Sequence, residues 1–366
     1  MSRAGCAGQA CRASRPQSGP YKNVASDAIG CFAPSAGRGY HTQVMNSIAI
    51  KGLEHFSREL ADVELQLGRT LGSPVPFIDG LGRFLHGAKG KRLRPALAVL
   101  FYKLLGEQGD REELLKLAAV LELIHLATLV HDDVIDGAQT RRNQPALHVH
   151  STNRVAVLEG DFLFVQVFRI TDNYPKATRE RVIHTVERLL EGELIQESLR
   201  AVVPTESQYF EVIEGKTAVL IATACLFGAQ WGDPALSLER QQAAYDAGTF
   251  IGKAFQLVDD VLDLFGDEQL GKPRFSDLQG GWLTLPLIRL VAQRPEWRER
   301  LLKGELDSAQ RAQLQQALMD AGVCDEVESL VNGLLSQAGE RLSWLPHGEL
   351  KETLLETIDF VARRRS

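Results

Sequence analysis

The stretch HLATLVHDDVID, residues 125–136, decides the fold class of this chain. Asp132, Asp133 and Asp136 follow its apolar run directly, and positions 132 and 136 lie one helical turn apart on the same face. Burying carboxylates in an apolar run is costly unless something compensates their charge. Divalent cations do so well, and Mg²⁺ prefers a few carboxylates together with substrate phosphates.

A second stretch, FQLVDDVLDLFGD at 255–267, has the same D-D-x-x-D form. Its aspartates are Asp259, Asp260 and Asp263, again after apolar residues. A single pentad of this kind is equally typical of a solvated acidic turn on a surface helix. Two copies in apolar settings favour metal binding, and they predict two carboxylate walls that face each other across one metal and phosphate site.

The composition sets broad limits. With 366 residues the chain holds one large domain or two ordinary ones, and its hydrophobic content of 44% is ample for a core. The net charge of −6 gives no general nucleic-acid signature, and no apolar run reaches the length of a membrane span. The five cysteines include no metal-type C-x-x-C pair and no dense disulfide pattern, which indicates a reducing intracellular compartment.

Residues 1–44 differ from the rest of the chain. They are rich in Gly, Ala, Ser and Arg, and Asp27 is their only acid. A transit peptide, a disordered tail and translated sequence upstream of a start at Met45 all stay open, although no clean amphipathic helix emerges. We expect a cytoplasmic bacterial protein, or a mitochondrial or plastid one if the segment is a transit peptide.

From residue 45 the pattern is helical almost throughout, and strand-like alternation is absent. Residues 47–71 have helical spacing, and breakers separate the candidates that follow. Long helices are predicted near 93–105, 112–136, 153–172, 176–200, 206–231, 237–265, 281–293, 308–320, 323–343 and 348–363. The pattern predicts an all-α fold, with one large helical domain at 45–366 whose helices surround a central catalytic cavity.

Two basic clusters accompany the aspartates. GKRLRP at 90–95 places three cations in four residues, which is a good grip for a diphosphate. Arg141 and Arg142 follow the first pentad in a loop. A solvated basic turn is the less favoured alternative for the first cluster, and simple ion pairing with the aspartates is an equal alternative for the second. If metal occupies the aspartates, the arginines can hold a second anion.

Other polar side chains lie in apolar helical surroundings. His125 in such a run is more often a core residue than a ligand. Lys216 and Thr217 lie within GKTAV, but the full spacing of a phosphate loop is missing. Together the acidic walls, basic clusters and apolar interior predict a substrate with a polyanionic head and an apolar tail.

The chain resembles the trans-type polyprenyl diphosphate synthases, the polyprenyl synthetase family. The matching segments occur in family order and span about residues 50–366. They are GKRLRP at 90–95, HLATLVHDDVID at 125–136, TRRNQPALH at 140–148, LEGDFLF at 158–164, GKTA at 215–218 and FQLVDDVLDLFGD at 255–267. The resemblance implies a Mg²⁺-dependent prenyltransferase that condenses an allylic diphosphate with isopentenyl diphosphate.

The resemblance also assigns roles position by position. The implied catalytic residues are Asp132, Asp133, Asp136, Asp259, Asp260 and Lys216. The implied Mg²⁺ ligands are Asp132, Asp136, Asp259 and, in support, Asp263. The implied binding residues for isopentenyl diphosphate are Lys91, Arg94, His125 and Arg142. Those for the allylic diphosphate are Arg141, Lys216, Thr217, Gln256 and Lys272.

Two departures from the family pattern follow the second pentad. Phe275 stands where the family commonly has Gly, and Trp282 stands at the usual Lys position. Losing that Lys weakens diphosphate binding unless another cation replaces it. The alternatives are a class I terpene cyclase, against which the second pentad and the basic clusters argue, and a non-catalytic subunit of a heteromeric synthase.

Small residues before the first pentad predict a long product. In the resembling family the growing chain passes the positions of Ala127 and Thr128, and an aromatic residue there stops it early. Leu121, Ile124 and Phe164 or Phe168 are candidates for a deeper floor. We therefore expect at least five isoprene units, suited to a quinone side chain. We also expect a homodimer, with a heteromer as the alternative, no nucleic-acid partner, and peripheral membrane contact for product release.

Overall fold

The computed structural model describes residues 56–363 except 89, 91, 143 and 267–273. The predicted tail at 1–44 and the predicted diphosphate ligands Lys91 and Lys272 therefore lie outside the described residues. Within them the fold is all-α, as predicted.

The helices follow one another along the chain with short connections. In order they are α1 (Ser57–Leu71), α2 (Pro76–Gly87), α3 (Leu93–Leu104), α4 (Arg111–Ile135), α5 (Leu147–His150), α6 (Asn153–Thr171), α7 (Lys176–Ser198), α8 (Glu206–Ile213), a π-helical segment (Glu214–Ala218), α9 (Val219–Gly232), α10 (Leu238–Phe265), α11 (Ser276–Gln279), α12 (Leu285–Gln293), α13 (Arg298–Leu302), α14 (Ser308–Asp320), α15 (Val323–Arg341) and α16 (Glu349–Arg363).

The two pentads lie at the C-terminal ends of two long helices. Helix α4 begins at Asp110, whose carboxylate accepts hydrogen bonds from the backbone N–H groups of Glu112 and Glu113. Helix α10 begins in the same way at Ser237, whose hydroxyl accepts from Arg240 N. A long helix with a fixed start gives each aspartate cluster a defined position.

Helix α9 forms the centre of the bundle. Nearly all of its side chains are buried, and it packs against α3, α4 and α10. A helix that is apolar all round is typical of a core element. Because α9 contacts both pentad-bearing helices, the core sets the distance between the two walls.

Three sequence expectations need correction. The helix predicted from 281 begins at Leu285, with Pro286 in its first turn, because proline suits that position. Helix α2 was not predicted, since Gly80, Gly82 and Gly87 break its helical pattern. The loop after the first pentad contains a two-residue hairpin that pairs Thr140 with Pro145 and Arg141 with Gln144.

The expectation that no apolar run is long enough to span a membrane is wrong. Two stretches, Arg111–Ile135 and Glu206–Gly232, are long and apolar enough to cross a membrane, with window hydropathies of 1.7 and 1.5. However, 72% and 83% of these windows are buried inside the protein. Their apolar side chains form the core of the protein. Length and composition alone are therefore weak evidence that these helices cross a membrane.

Candidate active site

The first wall, which we define as Asp132, Asp133 and Asp136, divides into separate roles. Asp132 is partly buried, and Asp136 is exposed at the end of α4. Burial, with the nearby Glu193 and Asp136, raises the pKa of Asp132 to about 7. Asp133 is only 3% exposed and accepts hydrogen bonds from Arg141, with a distance of 2.8 Å from Nε to Oδ1. Asp133 therefore holds Arg141 in place, while Asp132 is the carboxylate whose charged form is disfavoured by burial and by neighbouring acids.

The π-helical segment directs Lys216 towards the first wall. Its ammonium group donates to Glu193 Oε2 over 2.8 Å, and its charge also stabilises the Asp132 carboxylate. Although burial opposes the charged form, Glu193, Asp132 and Asp136 raise the pKa of Lys216. A Cβ at position 192 would lie 2.6 Å from Lys216 N, so only glycine allows α7 and this segment to approach so closely. π-helical turns of this kind are frequent at functional sites.

The second wall, defined as Asp259, Asp260 and Asp263, is held by a buried network. Asp260 is 1% exposed and accepts from the Tyr209 hydroxyl and from Gln256 Nε2, the latter over 2.8 Å. Thr217 in turn donates to Gln256 Oε1 over 2.8 Å. Burial and the neighbouring Asp277 raise the pKa of Asp260. The π-helical segment thus links the two walls indirectly. The charge of Lys216 acts on Asp132, and Thr217 bonds to Gln256, which in turn bonds to Asp260.

Asp263 has a local structural role in addition to its predicted one. Its carboxylate accepts from the backbone N–H and hydroxyl of Ser276, with 3.0 Å to the nitrogen. Its carbonyl accepts from Phe275 N over 2.8 Å. Phe275 lies in the left-handed region at φ 62°, a conformation that a bulky residue keeps only when its surroundings hold it. Here the buried ring lies under the Arg311 guanidinium.

A cavity of about 120 Å³ adjoins the second wall. Its polar side includes Lys216, Thr217, Gln256, Asp260 and Asp277. Its apolar side consists of side chains from the connection between α7 and α8, from α8 and from the segment after the second pentad. These are Leu199, Pro204, Val212, Ile213, Trp282 and Leu283.

Arginines from both basic clusters come together beside α4. We call Arg92, Arg94 and Arg142 the guanidinium cluster. Arg94 lies 3.7 Å from Glu122, and its Nε atom is buried without a hydrogen-bond partner. Arg142 donates to Ala88 O over 2.8 Å, and its Nη2 lies 3.5 Å from His125 Nε2. Burial together with Arg92 and Arg94 lowers the pKa of Arg142 to about 10, so it remains charged at neutral pH.

Neighbouring acids fix the geometry of this cluster. Arg92 donates to Glu122 Oε2 over 2.8 Å and to Glu64, and His86 lies 3.3 Å from the Glu64 carboxylate. Hydrogen bonds from His86 and Arg92 overcome the effect of burial and hold the pKa of Glu64 at about 2. Burial and the surrounding guanidiniums lower the pKa of His125, so it is a neutral hydrogen-bonding group.

The carboxylates of the two walls fit a divalent cation whose coordination shell is completed by oxygens of the substrate. Among the described residues, no group of three or more His, Cys, Asp or Glu side chains stands ready to hold a metal ion by itself. Mg²⁺ needs only one or two carboxylates when phosphate oxygens and water complete its shell. The raised pKa of Asp132 supports this fit, because a cation would stabilise its charged form.

Sequence reasoning missed several residues at the site. Glu122 is an acid in an apolar run three positions before His125, and it shares a helix face with that residue. Tyr209 lies seven positions, or two turns, before Lys216. Glu193 and Asp277 have no comparable pattern around them, and only the fold brings them to the walls.

The residues predicted to limit the chain length of the product lie where α4 passes into the core. Ala127 is fully buried, and Thr128 donates to His125 O over 2.9 Å. Leu121 and Ile124 are also fully buried. Phe168 is 45% exposed on α6, so it does not form an internal floor, whereas Phe164 is half-buried with its ring 6.1 Å from that of His131.

Comparisons with known proteins show the family of this chain. The Polyprenyl synthetase family model matches residues 76–320. Heptaprenyl diphosphate synthase component 2 of Geobacillus stearothermophilus is 33% identical over 314 residues, which cover 84% of this chain and 96% of that protein. The octaprenyl diphosphate synthase of Escherichia coli is 32% identical over 277 residues, covering 74% and 84%.

The chain belongs to the polyprenyl synthetase family. A polyprenyl synthase from Caulobacter crescentus, in complex with calcium and isoprenyl diphosphate, has the same fold with a TM-score of 0.79 and 33% identity, over 86% of this chain and 97% of that one. As a polyprenyl diphosphate synthase, the chain is a prenyltransferase that uses a divalent metal. The comparisons favour neither a terpene cyclase nor a non-catalytic subunit.

Proposed function

We propose that this chain is a Mg²⁺-dependent trans-polyprenyl diphosphate synthase that makes a product of at least five isoprene units for a quinone side chain. The observation that carries the proposal is the pairing of two aspartate walls with a separate, buried cluster of guanidinium groups. One reaction that needs both is the condensation of two prenyl diphosphates, in which the allylic substrate loses inorganic diphosphate and the other substrate keeps its diphosphate.

The allylic diphosphate belongs at the walls. A divalent cation bound there would neutralise the negative charge that develops as the allylic C–O bond breaks. Lys216, already directed at Asp132, adds a positive charge on the same side. Thr217 and Gln256 keep Asp260 in a fixed orientation, so the second wall does not need to reorganise during the reaction.

Isopentenyl diphosphate belongs at the guanidinium cluster. The buried Arg94 Nε lacks a partner, and Arg142 has neighbouring cations that an anion would balance. Arginine suits this role because its planar fork binds phosphate oxygens in pairs. The double bond of the held substrate attacks the allylic cation, a C–C bond forms, and loss of a proton restores the alkene. The released diphosphate is the candidate base.

The direction of α4 supports the proposed product length. Ala127 and Thr128 lie about one turn behind Asp132, so a chain that grows from the first wall meets small side chains first. The heptaprenyl and octaprenyl names of two relatives agree with a medium or long product.

A homodimer is the assembly that the surface supports. Seven large apolar side chains on two consecutive helices, α6 and α7, are exposed. They are Val157, Leu158, Val165, Phe168, Ile183, Leu190 and Leu194. Exposed apolar surface of this kind is typical of an interface. The word component in the name of the Geobacillus relative keeps a heteromer as the alternative.

One incubation tests the proposed function. The protein is mixed with Mg²⁺, radiolabelled isopentenyl diphosphate and farnesyl diphosphate, and the dephosphorylated products are sized by chromatography. We expect alcohols of 25 carbons or more, formed only when the cation is present. Cyclic hydrocarbon without use of the label would indicate a cyclase, and no product at all would indicate a non-catalytic subunit.

A further inference from the structure

The segment after the second pentad supplies much of the cavity beside Asp260. We define residues 276–284 as the post-motif segment. Its Asp277, Trp282, Leu283 and Thr284 line the cavity, as does Lys216 from the π-helical segment. The position of this segment therefore sets the shape of the cavity on the side of the allylic diphosphate.

The post-motif segment is attached to the end of α7 by a cation stacked on an indole. The Arg200 guanidinium lies 4.5 Å from the centre of the Trp282 ring, well within the range of a cation–π interaction. A backbone hydrogen bond from Ala201 N to Gly281 O, over 2.9 Å, joins the same two stretches. Trp282 also donates its own N–H to Asp277 O over 2.8 Å.

Glu197 holds the arginine over the ring. Its carboxylate accepts from Arg200 Nη2 over 3.0 Å and from Nε over 3.1 Å. A guanidinium that is bonded at its edge keeps its face available for stacking, which suits arginine better than lysine. The Arg200–Trp282 stack therefore joins the turn that follows α7 to the post-motif segment.

We infer that Trp282 and Arg200 are positioning residues for the allylic diphosphate, because their stack holds the post-motif segment over the cavity beside the second wall. This inference rests on the proposed function, which places that diphosphate at the walls. It assigns Trp282 a stabilising role at the position where the resemblance would place a lysine. Neither residue needs to contact the substrate.

The test compares graded variants at both positions. Arg200→Gln keeps an extended polar side chain but removes the cation, whereas Arg200→Lys keeps the cation. Trp282→Leu removes the aromatic face, and Trp282→Phe keeps a smaller one. The matched control is Arg300→Gln, since Arg300 stacks 5.4 Å over Trp297 and neither residue lines the cavity.

Two readouts are measured for each variant. Steady-state kinetics give the KM for farnesyl diphosphate and for isopentenyl diphosphate separately, and amide hydrogen exchange follows residues 276–284. We expect Arg200→Gln to raise the KM for farnesyl diphosphate about threefold to fivefold, which is the size of one exposed cation–π contact. The KM for isopentenyl diphosphate should stay unchanged, and exchange in the segment should become faster by a similar factor.

The conservative variants should recover most of the loss, and Trp282→Leu should show the largest effect. Equal rises in both KM values, unchanged exchange in residues 276–284, or the same effects in Arg300→Gln would overturn the inference. If the wild-type chain elongates nothing, the proposed function fails instead. In that case the hydrogen exchange, together with Mg²⁺-dependent binding of inorganic diphosphate to the same variants, still decides what the stack does.

Discussion

At the scale of single residues, neighbours in one motif have different jobs. Asp132 is partly buried with a raised pKa, whereas Asp133, the next residue, is ion-paired with Arg141. Arg141 and Arg142 diverge in the same way, since Arg142 turns towards Ala88 and His125. One residue along a helix or hairpin is enough to point a side chain into another environment.

This divergence predicts a kinetic difference between the two arginines. Arg142→Ala should raise the KM for isopentenyl diphosphate by about tenfold to a hundredfold, because it removes a charge-assisted phosphate contact of about 1.5–3 kcal/mol. The KM for the allylic substrate should change little. Arg141→Ala is the matched comparison and should act mainly on the allylic side. Steady-state kinetics with each substrate varied in turn measure both, and an effect of Arg142→Ala confined to the allylic substrate refutes its placement.

Glu64 predicts how stability depends on pH. Its pKa falls from 4.5 to about 2 in the folded protein, so its contribution is present above pH 4.5 and is lost as the pH falls towards 2. Glu64→Gln should lower the unfolding free energy at pH 7 by about 3 kcal/mol. Urea titrations should show this difference shrinking below pH 4.5. The exposed Glu187→Gln serves as control, and a difference independent of pH would contradict the assignment.

At the scale of elements, helical periodicity predicted the long helices well. Helix α14 has the predicted bounds, 308–320. Helices α6 and α10 differ from theirs by one residue at one end, and α4 by one residue at each end. These helices have clear caps or breakers at their ends, such as Asp110 and Ser237. Helix α2 escaped prediction because packing, rather than local preference, stabilises a segment with three glycines.

The candidate site was less predictable than the helices that support it. Repeated aspartate and basic patterns located most of its residues, because charged groups in apolar runs stand out in a sequence. The π-helical turn at Glu214–Ala218 and the partner Glu193 depend on how the helices pack together. Such contacts join residues far apart in the chain, and no local pattern encodes them.

Helix α4 predicts the limit on product length. Ala127→Phe should shorten the product without abolishing condensation, because a bulky ring one turn behind Asp132 blocks the path of the growing chain. Ala127→Val should give an intermediate distribution. Thermal unfolding of both variants separates a blocked tunnel from an overfilled core, which typically costs about 1–3 kcal/mol. Unchanged chain lengths in a folded Ala127→Phe variant would show that this wall does not set the limit.

At the scale of the whole molecule, the exposed apolar residues of α6 and α7 predict a dimer. Leu194→Glu, at a side chain that is 71% exposed, should shift the protein towards monomer. Leu238→Glu is the matched control, since Leu238 is 82% exposed but lies at the start of α10. Light scattering after size-exclusion chromatography measures the mass of each. A wild-type monomer, or equal dissociation in both variants, would contradict the interface.

The central claim is that the two aspartate walls act together on one diphosphate. Single turnover rates of Asp132→Ala, Asp259→Ala and the double variant, measured with Mg²⁺ as the only divalent ion, test it most directly. If the walls act as a unit, each single change should cost at least about a hundredfold, and the double change should cost little more than either. Circular dichroism should confirm that all three variants remain folded. Near-normal turnover in either single variant, or costs that simply multiply in the double variant, would contradict the claim.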